Sequence, residues 1–325
     1  MPVLSVGCSL SLLSHSRCLF LKPAAGYNTR RICDMDREGQ ILHNKLLVRK
    51  IVNKVVLYTL LVAVAVFLIF PYIFMINRSF MTSKEIMGSE IKFFPSVWTV
   101  SAYVKMFSQQ NYLLYTLNTL KVVVFNIIAV PFSASLCAYG FAKIKFRGRK
   151  IVFMLVLSTI MIPGAVTQVP LYVLFSNLGW TESVLPLTIP ALFGGGAINI
   201  FLMMQFMRGV SNEIEEAAKI DGAGYLRRYF YIMIPLCLPI LLYVAVGAFG
   251  SNWSDFYGPL VYLRDSNSYT LAVAIYYDSI TTNVAMESAN VRMAAGVFMS
   301  IPPALLFLLY QRKLVDGIQM GAVKA

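Results

Sequence analysis

"EEAAKIDGAGYLRRYFYIMIPLCLP", Glu215–Pro239, interrupts an apolar region with acidic residues, alanines, a glycine and a basic, aromatic segment that ends in prolines. Asn212 fits an N-cap, and Glu215 three positions later fits the return arm of a capping box. Glu213, Glu215 and Glu216 favour the positive end of a helix. Glu215 and Lys219 stand at i,i+4 in the more favourable order. Ile214, Ala217, Ala218 and Asp221 line one side of this short helix, and Gly222 stops it. A second helix over roughly Tyr225–Met233 carries Arg227 and Arg228 and leads to Pro235. The pattern is a helical hairpin, spanning 206–234, whose alanine face can seat closely in a groove on another protein. A solvated amphipathic loop would need neither the alanines nor the glycine stop.

The flanks set the context. Hydrophobic residues make up 58% of the 325 and charged residues 13%, whereas a soluble domain carries about 25% charged residues. Six apolar runs lie at roughly 55–76, 115–138, 152–174, 184–205, 235–254 and 291–311. Each is close to the ~20 residues that cross a bilayer, and lipid leaves a helix as the way to satisfy the backbone. The expected fold is an all-α integral membrane protein with six transmembrane helices.

Lys and Arg orient it. Lys45, Arg49, Lys50 and Lys54 precede the first run, "KIKFRGRK" (143–150) follows the second, Arg208, Lys219, Arg227 and Arg228 follow the fourth, and Arg312 and Lys313 follow the sixth. Segment 175–183 has no Lys or Arg and 255–290 has Arg264, while 77–114 fits less well with Arg78, Lys84, Lys92 and Lys105. The positive-inside rule puts both termini and the hairpin in the cytoplasm. Trp98, Trp180 and Trp253 then fall on the outer side. Residues 1–47 read as a separate tail, unstructured or begun too early, with Met35 as a plausible start.

Several functions are disfavoured. The net charge of +13 is spread over short segments between apolar runs, with no basic patch interleaved with aromatics, so no nucleic-acid partner is expected. Cys8, Cys18, Cys33, Cys137 and Cys237 form no CxxC pair, so neither a disulfide framework nor a metal site is indicated. The runs hold no carboxylate or histidine, which an ion-coupled carrier usually needs at membrane depth. Lys121, near the outer end of the second, can snorkel. No GxxxxGK[ST] is present, and "FGGGAIN" (193–199) lacks the lysine and hydroxyl of a phosphate loop. That stretch reads better as close helix packing or a local break. No catalytic constellation and no cofactor site can be assembled. Thr119, Asn126, Gln168, Asn199 and Asn252 are uncharged polar residues in the spans. They can line a path for a hydroxyl-rich solute or bond helix to helix.

Two motifs carry a resemblance. Glu216-Ala217-Ala218, then Gly222, Ile232, Ile234 and Pro235, is similar to the EAA loop of ATP-binding-cassette importer permeases, with Ile234 in place of a leucine. "DGAG" (221–224) narrows it towards carbohydrate-uptake permeases. The end "QRKLVDGIQMGAVKA" (311–325) resembles that of the maltose-type G subunit, with Ala325 in place of a glycine. The resemblance covers about 45–325 and implies a type I importer permease, 48–325, with a cytoplasmic tail at 312–325. It implies a bacterial cytoplasmic (inner) membrane location and a heterodimer with a second permease subunit. It also implies two cytoplasmic ATP-binding subunits that hydrolyse the ATP, an extracytoplasmic solute-binding protein, and surrounding membrane lipid. Glu215, Glu216, Ala217, Ala218, Asp221 and Gly222 are then expected to couple to the ATPase. Gly317, Gly321, Ala322, Val323 and Lys324 are expected to touch it, and 257–290 to face the binding protein. Import of a non-sugar solute, an ion-coupled carrier and a membrane enzyme are the alternatives.

Overall fold

The computed structural model describes residues 29–88, 90–108, 111–280 and 289–322, with side chains placed over 46–311 of these ranges. Among the described residues every regular element is helical. Four helices among the described residues are long and apolar enough to cross a membrane, Leu46–Ser79, Tyr112–Lys143, Leu185–Gly209 and Ala289–Gln311, and two bent pairs, each taken as one span, bring the number to six.

The first span belongs to the helix Thr29–Ser79. That helix corrects one boundary: 29–47, read as part of an unstructured tail, is helical. The stretch has no proline and one glycine, Gly39, so nothing in it stops a helix that the apolar run propagates. The chain divides into two units, one ending at Pro71 and one beginning at Tyr72. In the first, side chains 46–70 are all exposed, a surface of Val, Leu and Phe that hydrocarbon can cover.

The second unit is built around the second span, Tyr112–Lys143. It packs chiefly on Leu238–Trp253 of the fifth span and on Ala197–Gly209 of the fourth. Met203, Met204, Met207, Tyr229, Met233 and Cys237 fill the core beside Ala134 and Ala138. A second core gathers Tyr112, Val123, Trp253, Leu271 and Val291.

Two spans are broken, one of them at Pro163. The third bends by 101° between Arg149–Met161 and Gly164–Asn177. Pro163 disfavours the helical conformation for the residue before it, and Ile162 is extended at φ −81°, ψ 115°. The fifth bends by 79° between Tyr225–Leu236 and Leu238–Trp253, where Pro235 and Pro239 flank Cys237. In the fourth, Gly194, Gly195 and Gly196 all take positive φ and separate a short turn from the helix Ala197–Gly209. A Cβ on Gly195 would stand 2.5 Å from the Val130 carbonyl of the second span. "FGGGAIN" is a packing break.

Candidate functional site

The hairpin is fixed at each corner by backbone chemistry. Its first helix is Asn212–Ile220, and Ser211 is the N-cap, accepting from the Glu213 N–H. Asn212, expected in that role, is already helical. Its side chain instead accepts from Lys143 Nζ at 2.9 Å. The far end is a Schellman turn. Gly222 N–H donates to Lys219 O at 3.1 Å and Ala223 N–H to Ala218 O at 2.9 Å, with Gly222 at φ +78°. Nothing lies within 4 Å of the place where a Gly222 side chain would begin.

Tyr225–Arg228 forms the return limb and continues as a π-helical turn, Tyr229–Met233. The limbs are joined by Glu215 and Arg228, whose carboxylate and guanidinium stand 3.9 Å apart. Arg228 also covers the Tyr225 ring at 4.6 Å. Glu215 is therefore placed differently from the expected docking residues: it is buried and pairs across the hairpin instead of with Lys219. The separation of the limbs in sequence hid this partner. Glu216, Ala217, Asp221 and Gly222 are exposed, and Ala218 is half-buried. Around them Ile214, Ile220 and Leu226 face outward, Ile220 being 87% exposed. Large apolar side chains exposed on a charged hairpin mark a surface that another protein can cover.

The second span anchors this hairpin and bonds to elements all along its length. Asn126, buried, donates to the Leu187 carbonyl and to Asn252 Oδ1, both at 2.9 Å. Two of the polar residues singled out in sequence thus meet. Thr119, also buried, accepts from the Leu271 N–H at 2.9 Å. Asn199 turns back to the Gly195 carbonyl at 2.7 Å, and Gln168 is half-buried in the third span. Asn118 donates to the carbonyls of Asn267 and Tyr269, and Ser133 to that of Ala191. Neither Asn118 nor Ser133 stands out in the sequence, although Ser133 follows Asn126 by seven residues, as Asn126 follows Thr119. One face of the same span, Leu117, Leu120, Val124, Ile128 and Phe132, stays open as an apolar groove of about 710 Å³.

At the end of the spans away from the hairpin, Tyr112 donates to Asp278 at 2.6 Å and Arg292 to the Asp278 carbonyl at 3.3 Å. Burial pushes the Asp278 carboxyl above its ordinary range, against the hydrogen bond from Tyr112. Asp255 is shifted up by burial as well while accepting from the Gly258 N–H. Arg292, two residues into the sixth run, was not singled out. Of the segment expected to face a binding protein, 281–288 lies outside the described residues. The sixth helix continues to Ala322 through Gly317 and Gly321, while Val323 and Lys324 lie outside the described residues.

Bent and straight apolar spans, with a capped hairpin between the fourth and the fifth, define a multi-pass membrane protein. The chain belongs to the family described as "Binding-protein-dependent transport system inner membrane component", whose pattern matches residues 130–319. It is 30% identical to the galactooligosaccharides transport system permease protein GanQ of Bacillus subtilis, over 85% of this chain and 98% of that one. With the maltodextrin transport system permease protein MdxG of the same organism it shares 28% identity, over 85% and 98%. A bacterial ABC transporter involved in the import of the acidic polysaccharide alginate has the same fold. Its TM-score is 0.70 at 23% identity, covering 80% of this chain and 96% of that chain. The architecture is that of a type I importer permease, and the chain is a permease subunit.

Proposed function

We propose that this chain is one of two permease subunits of a bacterial importer that moves a carbohydrate, of oligosaccharide size, by alternating access. The observation that carries the reading is the hairpin. A Schellman turn at Gly222 presents Ile214, Ala217, Ile220 and Leu226 outward from a base held on the second span. Such a shape fits a cleft on a cytoplasmic ATP-hydrolysing subunit, two of which would drive the cycle. The basic segments place the hairpin and both termini in the cytoplasm. The last turn of the sixth helix and the residues beyond it, including Val323 and Lys324, would reach the same subunits. Segment 257–290, on the outer side, would meet the solute-binding protein. The open groove along Leu117, Val124 and Ile128 suits the second permease subunit. Asn126 and Asn252, bonded to one another between the second and fifth spans, are the polar pair we assign beside a solute path.

Carbohydrate is favoured over other solutes because the relatives named above transport galactooligosaccharides and maltodextrin. The test is reconstitution of this chain with a second permease, an ATPase and a solute-binding protein in liposomes. Uptake of labelled oligosaccharide should require both ATP and the binding protein, and the isolated chain should hydrolyse no ATP. Uptake driven by an ion gradient without ATP would overturn the reading. ATP-driven uptake confined to a non-sugar solute would overturn its carbohydrate part.

A further inference from the structure

Three residues of the second span, spaced by four, grip the hairpin. Ser135 Oγ lies 2.7 Å from the Tyr229 hydroxyl. The Tyr139 ring packs on the Tyr229 ring with centroids 5.4 Å apart. Lys143 Nζ donates to Val210 O at 2.8 Å and to Asn212 Oδ1 at 2.9 Å. Residues four apart share a helix face, so one stripe of the span holds both limbs.

At the centre of this grip sit Glu215 from the first limb and Arg228 from the second, each 7% exposed. The Tyr139 hydroxyl is within electrostatic reach of both. The fit is incomplete. Glu215 Oε1, Arg228 Nε and the Tyr139 hydroxyl are buried without a hydrogen bond of full geometry, the approach of the Tyr139 hydroxyl to the Glu215 carboxylate falling short of one. The ion pair itself, at 3.9 Å, is longer than the roughly 2.7–2.9 Å of a charge-assisted hydrogen bond. Partly satisfied buried polar groups cost free energy, and apolar side chains of similar volume would commonly serve stability as well or better. Stability is therefore a poor reason for this trio. An apolar contact is non-directional and can slide, whereas a charged pair with spare donors and acceptors has a shorter, better geometry to move into.

We propose that Glu215, Arg228 and Tyr139 form a slack latch that tightens when the hairpin is pushed towards the second span. They are positioning residues for coupling: closing the latch makes hairpin and span move as one body, so that displacement at the hairpin reaches Asn126 and the fifth span. This rests on the reading of the hairpin as the ATPase-docking element. Glu216, Ala217 and Gly222 meet the partner, and the latch lies behind them.

The test uses the complete reconstituted transporter and two variants. Glu215→Met/Arg228→Met replaces both charges with apolar chains and strands neither. Tyr139→Phe removes one hydroxyl and no packing. Membrane abundance, retention of the ATPase subunit, ATP hydrolysis and solute uptake are measured for each. Both variants should reach normal abundance and keep the ATPase subunit, while hydrolysis continues. Solute moved per ATP should fall roughly fivefold or more in the double variant, the lower end of a coupling between two sites. It should fall measurably in Tyr139→Phe. An unchanged ratio in both variants would reduce the trio to packing and overturn the latch. Shedding of the ATPase subunit at normal abundance would also overturn it, because the residues would then shape the docking surface. A wild-type chain that holds no ATPase subunit would instead sink the docking reading on which the latch rests.

Discussion

Replacing Gly222 with alanine isolates a single backbone contribution. The residue sits at φ +78°, and a Cβ there would meet nothing within 4 Å. Alanine thus adds no clash inside the chain and leaves the two Schellman hydrogen bonds geometrically possible. What remains is the left-handed conformation, which costs an L-residue about 1–2 kcal/mol. That lowers the ratio of capped to uncapped hairpin by a factor of roughly 5–30. The spans do not share the strain, so membrane abundance should match wild type. Apparent affinity for the ATPase subunit should weaken by up to the same factor, since only the capped hairpin is competent to bind. Titrating the purified ATPase subunit against the detergent-extracted permease measures this directly. Gly222→Asn is the control, because asparagine tolerates the left-handed region better than alanine, and it should recover much of the affinity. Gly222→Asp adds an anion beside Asp221 on the docking surface, and it should insert normally yet shed the ATPase subunit and lose uptake. Full uptake and an intact complex in Gly222→Ala and Gly222→Asp together would show that the hairpin is a solvated loop.

Gly195 makes the opposite case: its φ is +62° and its Cβ would also meet the Val130 carbonyl at 2.5 Å and Ala134 at 3.2 Å. Gly195→Ala should therefore add overpacking of about 1–3 kcal/mol to the backbone strain and lower both melting temperature and abundance. Asn126→Leu removes the donor to Leu187 O and Asn252 and should cost about 0.5–2 kcal/mol, read as a lower melting temperature in detergent; an unchanged one would mean that the pair contributes nothing to packing. Asp278, with its carboxyl shifted up by burial, binds its proton more tightly in the folded than in the unfolded chain. Between the ordinary carboxylate range and its own raised value, stability should fall as pH rises, and Asp278→Asn should flatten that part of the melting profile.

Much of the fold was legible in the order of residues. Apolar runs near bilayer length and alternating basic segments define spans because lipid penalises exposed backbone and charge regardless of tertiary detail. Local motifs were legible for the same reason. Gly222 ends its helix through its own φ, and Glu216-Ala217-Ala218 lies on a helix whose acidic start is visible nearby. Cap placement was less secure, since Ser211 and Asn212 are both good N-caps and the choice fell to Lys143, which engages Asn212 from the second span.

What only the tertiary structure decided involves partners distant along the chain. Glu215 has Lys219 within its own helix, but folding brings Arg228 across the hairpin and buries both. Asn126 and Asn252 are equally polar in sequence, and their 2.9 Å bond arises because the second and fifth spans pack together. The bends at Pro163 and Cys237 follow the same division. Proline weakens a helix wherever it occurs, yet Pro131 lies inside an unbroken span and Pro163 at a 101° bend. A proline removes one hydrogen bond locally; the second span, packed on the fourth and fifth, runs helically through Pro131, whereas the third, which buries little, turns at the extended Ile162.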